Sequence, residues 1–205
     1  MTEGPPISFW FTMGSTYTYL TVMRLREVEQ ATGLTFRWRP FHLLTILQGM
    51  KHVPFADKPA KMAYMWRDIA RRAEVYGIPV CVPAPYPAKQ SIVANKIAFI
   101  GCAESWGPDF IRAAYRRWFQ LGEETGSEPN VSSSLREIGQ DPERVLARAA
   151  SEEIGRKLED ETTAARELGI FGSPTFSIGT ELFWGDDRLE DAIRWHRRNQ
   201  DRSGR

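Results

Sequence analysis

The chain has 205 residues, 42% of them hydrophobic and 26% charged, the proportions of an ordinary soluble globular protein of one domain or one domain with an insertion. Its 27 basic and 26 acidic side chains leave a formal charge of +1, so no global field draws it to nucleic acid or an anionic membrane, and partners must be sought in local sites. No apolar run approaches the ~20 residues of a membrane span, and residues 1–6 lack the basic and apolar regions of a signal peptide, so a cytoplasmic protein is expected.

Residues 7–11, I-S-F-W-F, are apolar and aromatic without a helix former, which predicts a buried strand. Gly14-Ser15-Thr16 breaks the pattern. From Tyr17 the positions Leu20, Val22, Met23 and Leu25 recur at helical spacing, predicting a helix over 17–32 that Gly33 stops. Ser15 therefore stands where a strand gives way to a helix. Its hydroxyl has two readings there: an N-cap for the helix, or a donor at a corner where free amides and the helix dipole favour an anion. Residues 34–39 alternate as a half-buried strand does, and Pro40 is expected to end it. Strand, helix and strand in so short a span form a βαβ unit with parallel strands.

No strand pattern follows for over a hundred residues. Apolar spacing predicts helices over 58–76, 91–105 and 108–121, then shorter ones over 130–138 and, with Asp141 as cap and Pro142 in the first turn, 141–150. Three prolines make 82–87 an extended loop. Cys81 and Cys102 lack CxxC spacing and a His partner, which removes zinc and redox-pair readings and leaves two small buried hydrophobes.

A charged helix over 151–168 ends at Gly169, and Gly172-Ser173-Pro174 opens a short strand ending at Gly179. Gly179-Thr180-Glu181 fits a hairpin turn into a strand over 182–184, and a last helix runs over 189–197 before a basic, frayed tail. The order β-α-β, helical insertion, α-β-β-α is that of an α/β thioredoxin-like fold with helices spliced into its middle. Residues 1–44 with 151–205 make the thioredoxin-like part, and 45–150 the inserted helical part. In that architecture the corner after the first strand is the active site, and a usually cis proline before the third strand, here Pro174, faces it.

The motifs F-W-F-T-M-G-S-T-Y-T-Y-L (9–20), P-A-K-M-A-Y-M-W-R-D (59–68), Y-G-I-P (76–79), G-I-F-G-S-P-T-F (169–176) and F-W-G-D-D-R-L (183–189) occur in order along the chain. Together they resemble the family of 2-hydroxychromene-2-carboxylate isomerases and kappa-class glutathione transferases, relatives of the Dsb-type thiol oxidases. Where the redox relatives carry CxxC, this chain has Ser15-Thr16-Tyr17-Thr18, which forms no disulfide. The resemblance implies glutathione as cofactor and Ser15 as the catalytic residue, its hydroxyl bonded to the glutathione thiolate. A free thiol of pKa about 8.5 is only ~3% ionised at pH 7. Lowering that by ~2 units takes about 2.7 kcal/mol, close to the ~1.5–3 of one hydrogen bond to a charged group.

The same resemblance implies a glutathione site from several stretches. The Ser173 backbone, next to Pro174, pairs with the cysteinyl part as an added strand does. Trp184, Gly185, Asp186 and Asp187 hold the γ-glutamyl end, with N-capping of the last helix as the plainer role for either Asp. Lys61 meets the glycyl carboxylate or is a solvated surface lysine, and His52 falls where the family has an Asn. Thr16 in place of the family's proline, and Asp186 in place of an Asn, depart from the pattern. Trp10, Phe11, Phe41, Tyr86 and Trp118 line an aromatic substrate pocket or belong to the core. The implied reaction is isomerisation of a small aromatic-degradation intermediate by a recycled glutathione thiolate in a homodimer. A transferase or peroxidase acting on other electrophiles, and a glutathione- or peptide-binding module without turnover, are the alternatives.

Overall fold

In the computed structural model, residues 6–51, 55 and 58–203 are described, apart from the side chains of 201–203. Strand β1 (Ile7–Phe11) is buried at every residue, because it lies inside a four-stranded sheet of order β2-β1-β3-β4. β2 (Phe36–Pro40) runs parallel to it, with Ile7 opposite Phe36 and Phe11 opposite Pro40. Pro40 is thus the last residue of the strand and not its stop. An edge strand tolerates this, since the missing N–H can face away from the ladder. β3 (Thr175–Ile178) pairs antiparallel to β1, and β4 (Glu181–Trp184) antiparallel to β3.

Successive residues of a strand face opposite ways, and the two faces of this sheet bury different sets. Phe9 stacks on one side with Phe11 and Phe176, and Phe36 meets Phe176 edge-on, each ring contributing roughly 1.5–3 kcal/mol by its removal from water. That core continues into the helical segment through Ile97, Phe110, Tyr115, Trp118 and Phe119. On the other side Trp10 packs with Phe41, Ile46, Ala165 and Ile170, its indole N–H donating to Ser177 Oγ at 2.9 Å. Of the aromatic residues considered for a substrate pocket, Trp10, Phe11, Phe41 and Trp118 are therefore core.

Helix α1 (Thr18–Thr32) ends on Gly33 in the left-handed conformation. α2 (Leu43–Gly49), which the sequence pattern did not announce, follows β2. Then come α3 (Pro59–Tyr76), α4 (Ser91–Ala103), α5 (Gly107–Leu121), α6 (Asn130–Glu137), α7 (Pro142–Ala149) and α8 (Glu152–Glu167). Asp141 caps α7 by accepting from the Glu143 N–H, and Ser151 caps α8 by accepting from Ile154. α9 (Leu189–Ser203) runs six residues past the predicted 197.

Cys81 is exposed, correcting its reading as buried: its backbone N–H bonds the Phe119 carbonyl while the thiol stays outside. Cys102 is partly buried, and burial pushes its thiol up to about 12, which makes it inert at neutral pH. Among the described residues no helix is long and apolar enough to cross a membrane, and no cluster of His, Cys, Asp and Glu could hold a metal ion.

Candidate active site

After Phe11 the backbone turns sharply, the Ser15 N–H bonding the Thr12 carbonyl at 3.1 Å. α1 starts only at Thr18, its N-cap position is Tyr17, and no side chain caps it. Ser15 is consequently not a helix cap. Its hydroxyl donates instead to the Ser173 carbonyl at 2.8 Å, across 158 residues of sequence. The Ser173–Pro174 bond is cis, as the thioredoxin arrangement predicts.

Two buried side chains of the helical segment fix this corner. Asn95 of α4 accepts the Met13 N–H at 2.7 Å and donates to Thr12 Oγ1 at 3.0 Å. The Tyr115 hydroxyl of α5 reaches the Thr12 and Ser15 carbonyls, at 2.9 and 3.1 Å. Both residues are fully buried, and burial raises the Tyr115 phenol, so it stays protonated as a donor. Sequence reasoning missed them. A lone Asn and a helical Tyr carry no local signal, and only their distant partners give them a role.

Ser173 closes the site from the other side. Its hydroxyl accepts the Thr12 N–H at 3.0 Å and lies 2.9 Å from Thr18 Oγ1. The Pro174 carbonyl accepts from the Gly185 N–H at 2.9 Å, which ties the start of β3 to the end of β4. Gly185 has a φ of 122°, a conformation that favours glycine. Trp184, half exposed, lies so close over Gly172 that a Cβ there would stand 2.1 Å from its Nε1, and its ring meets Phe171 at 4.8 Å.

Ser15, Ser173, Trp184 and Lys61 share one cavity of about 460 Å³. Its far wall is apolar: Leu43, Leu44 and Leu47 of α2, with Met50, Phe55 and Tyr86. Lys61, exposed on α3, is the only charged side chain among the described residues lining it, and its ammonium lies 5.3 Å from the Phe55 ring centre. Tyr17 also lines it, but its hydroxyl donates to Asp68 at 3.0 Å, and burial with that carboxylate raises its acidity constant's pKa. Tyr17 thus offers no phenolate.

The remaining predicted residues divide. Asp186 and Asp187 begin a 3-10 turn (Asp186–Arg188) whose cap position, Gly185, has no side chain to give. Asp186 turns inward, only 2% exposed: Arg72 of α3 donates to its Oδ2 through Nε at 2.9 Å and Nη2 at 2.5 Å, and Thr21 to its Oδ1 at 3.3 Å. Burial pushes this carboxyl up, and Arg24 and Arg72 pull against that. Asp187 stays exposed beside Arg188 at 2.9 Å. Neither carboxylate lines the cavity. His52 lies outside the described residues. Thr16, the departure from proline, is buried with its hydroxyl 3.1 Å from the Met65 sulfur.

The cavity thus combines an apolar wall with the paired Ser15 hydroxyl and Ser173 carbonyl and the Lys61 cation. The profile described as DSBA-like thioredoxin domain matches residues 6–193. A 2-hydroxychromene-2-carboxylate isomerase of Pseudomonas putida is 28% identical over 185 residues, 89% of this chain and 90% of the relative. Glutathione S-transferase kappa 1 of Caenorhabditis elegans is 26% identical over 203 residues, 92% and 89% of the two chains. The solved structure of a 2-hydroxychromene-2-carboxylate isomerase superposes with a TM-score of 0.82 at 27% identity, covering 95% of this chain and 98% of that one.

Proposed function

The chain belongs to the family of DSBA-like thioredoxin domains, and from that premise we propose that it is a glutathione-dependent isomerase of the 2-hydroxychromene-2-carboxylate type. The observation that carries this reading is Ser15 at the corner after β1, lining an apolar cavity with its hydroxyl on the Ser173 carbonyl beside the cis Ser173–Pro174 bond.

Glutathione, held by Ser15, Ser173 and Lys61, would supply a thiolate nucleophile that is recovered unchanged at the end of the isomerisation. Ser15 holds that thiolate by a charge-assisted hydrogen bond worth about 1.5–3 kcal/mol. Ser173 aligns the cysteinyl part through its backbone, and Lys61 meets the glycyl carboxylate at the rim. Trp184 and Gly185 shape the γ-glutamyl end. Asp187 meets its ammonium, while Asp186, engaged by Arg72, holds the loop in shape. The leucine wall of α2, with Phe55, Tyr86 and Phe171, receives the aromatic part and keeps water from the sulfur. A cytoplasmic homodimer belongs to the same reading.

The kappa-class relative supports a second reading, transfer of the same thiolate to an external electrophile. Turnover with substoichiometric glutathione separates the two. Many rounds of chromene carboxylate isomerisation with glutathione recovered intact support the isomerase. Product formed one for one with glutathione consumed supports the transferase. Tight glutathione binding without turnover on either substrate class reduces the protein to a binding module.

A further inference from the structure

Ser15 has one hydroxyl proton, and in the structure that proton is spent on the Ser173 carbonyl at 2.8 Å. The reading above needs the same proton on sulfur. One donor cannot serve both acceptors at full strength. The surroundings say what settles the competition. Pro174 has no N–H, and its carbonyl is taken by Gly185. The end of β1 is closed by the Ser173 side chain and not by its backbone, because Ser173 Oγ accepts the Thr12 N–H at 3.0 Å. Ser173 and Ser15 both line the cavity, and the Ser173 carbonyl has the Ser15 hydroxyl as its partner. Turning Ser15 toward a sulfur leaves this part-buried carbonyl unpaired, which opposes the turn. An incoming N–H removes the opposition, and the amide of an extended peptide laid beside a strand end is such a donor.

We propose, resting on the reading above, that the ligand's own amide N–H takes over the Ser173 carbonyl and so releases the Ser15 hydroxyl onto the sulfur. The site then activates cysteinyl peptides carrying an N–H at the cysteine and leaves other thiols near their ordinary acidity. No covalent step is involved. The thiol proton passes to water, and Ser15 keeps its own proton and redirects it.

The test compares the acidity of two bound thiols by ultraviolet thiolate absorbance: glutathione, and its analogue in which an ester oxygen replaces the cysteine N–H. Each is added until the fluorescence of the wild-type protein, with Trp184 at the cavity rim, no longer changes. The expected result is a depressed thiol pKa for glutathione and an acidity constant about tenfold weaker for the ester, the penalty of one unpaired carbonyl. Equal depression for both overturns the inference and leaves the Ser15 reading standing. No depression for either overturns both. Should the ester fail to saturate the protein, S-methylglutathione decides, since it brings the amide but no ionisable sulfur. Ser15→Ala must then bind it at least as tightly as the wild type, because alanine does not compete for the Ser173 carbonyl. A loss of more than about threefold in affinity overturns the inference.

Discussion

Arg72 grips a single carboxylate oxygen of Asp186 with both its Nε and its Nη2, joining α3 to the loop that follows β4 across 114 residues of sequence. Asp186 is 2% exposed, whereas a quarter of the Arg72 side chain reaches solvent. The two partners are therefore unequal in what they leave behind. Arg72→Met strands a buried carboxylate and should cost about 3–5 kcal/mol at pH 7, whereas Asp186→Asn leaves an arginine that water can reach and should cost less than half as much. In Arg72→Met the burial that already raises the Asp186 pKa loses an opposing cation, so the folded value moves further above the unfolded one. Stability of that variant then falls as pH rises through the folded value. Urea melts of both variants at pH 5 and 7 check the order and the sign. Equal losses for the two at pH 7, or an Arg72→Met whose loss relative to the wild type is larger at pH 5 than at pH 7, contradict it.

Tyr115 holds the active corner from behind. Tyr115→Phe removes the donor from two carbonyls, those of Thr12 and Ser15, inside a buried corner. A loss of about 1–3 kcal/mol of stability is expected, and with it a fall in kcat larger than any rise in KM, because the ground-state contacts at the rim are untouched. Unchanged kcat in a folded variant would mean that the corner keeps its shape without the phenol.

His42 precedes the helix that walls the cavity, with its N–H on Thr162 at 3.0 Å and its ring Nδ1 2.9 Å from Thr45 Oγ1. Lys96, Glu159 and Arg166 share the small hollow it faces. Burial holds the imidazole below its ordinary 6.5, so the unfolded chain binds more protons between the two values. The stability this residue contributes is complete above 6.5 and is lost as pH falls through the lower folded value. Melting temperature should rise between pH 5 and 7, with a shallower slope in His42→Gln. An NMR titration midpoint at or above 6.5 contradicts this sign.

Lys61 is an exposed cation at the cavity rim. In the proposed site a contact with a glycyl carboxylate would be screened by water, so Lys61→Met should weaken glutathione binding by only about 0.5–1 kcal/mol, seen in KM and not in kcat. The difference should shrink in 0.5 M salt, which screens beyond roughly 4 Å. A kcat effect, or none on KM, removes Lys61 from the site.

What the sequence disclosed was local. The apolar run 7–11, the cap Asp141, and Gly33 as a helix stop act through neighbours a few residues away, and the structure has all of them where expected. α2 escaped because it spans only seven residues, too few for a period to repeat, and has no capping side chain at His42. At the site, Ser15 and Pro174 were readable because a strand end and a Ser-Pro pair mark positions in a known architecture. The inward turn of Asp186 was not, since its partner Arg72 is set by how α3 packs on α1. Asn95 and Tyr115 were hidden for the same reason, and so was the Ser173 side chain: a hydroxyl that substitutes for a backbone ladder bond is visible only once β1 and β3 are paired.

The central claim is that Ser15 ionises a bound thiol, and the most direct measurement is the ultraviolet difference titration of glutathione between pH 5 and 9 with the wild type and with Ser15→Ala. The account predicts a thiol pKa lowered by about one to two units in the wild type, the effect of one charge-assisted hydrogen bond, and most of that shift lost in Ser15→Ala. A wild-type pKa equal to that of free glutathione, or a shift that survives in Ser15→Ala, contradicts it and takes the thiolate chemistry away from this corner.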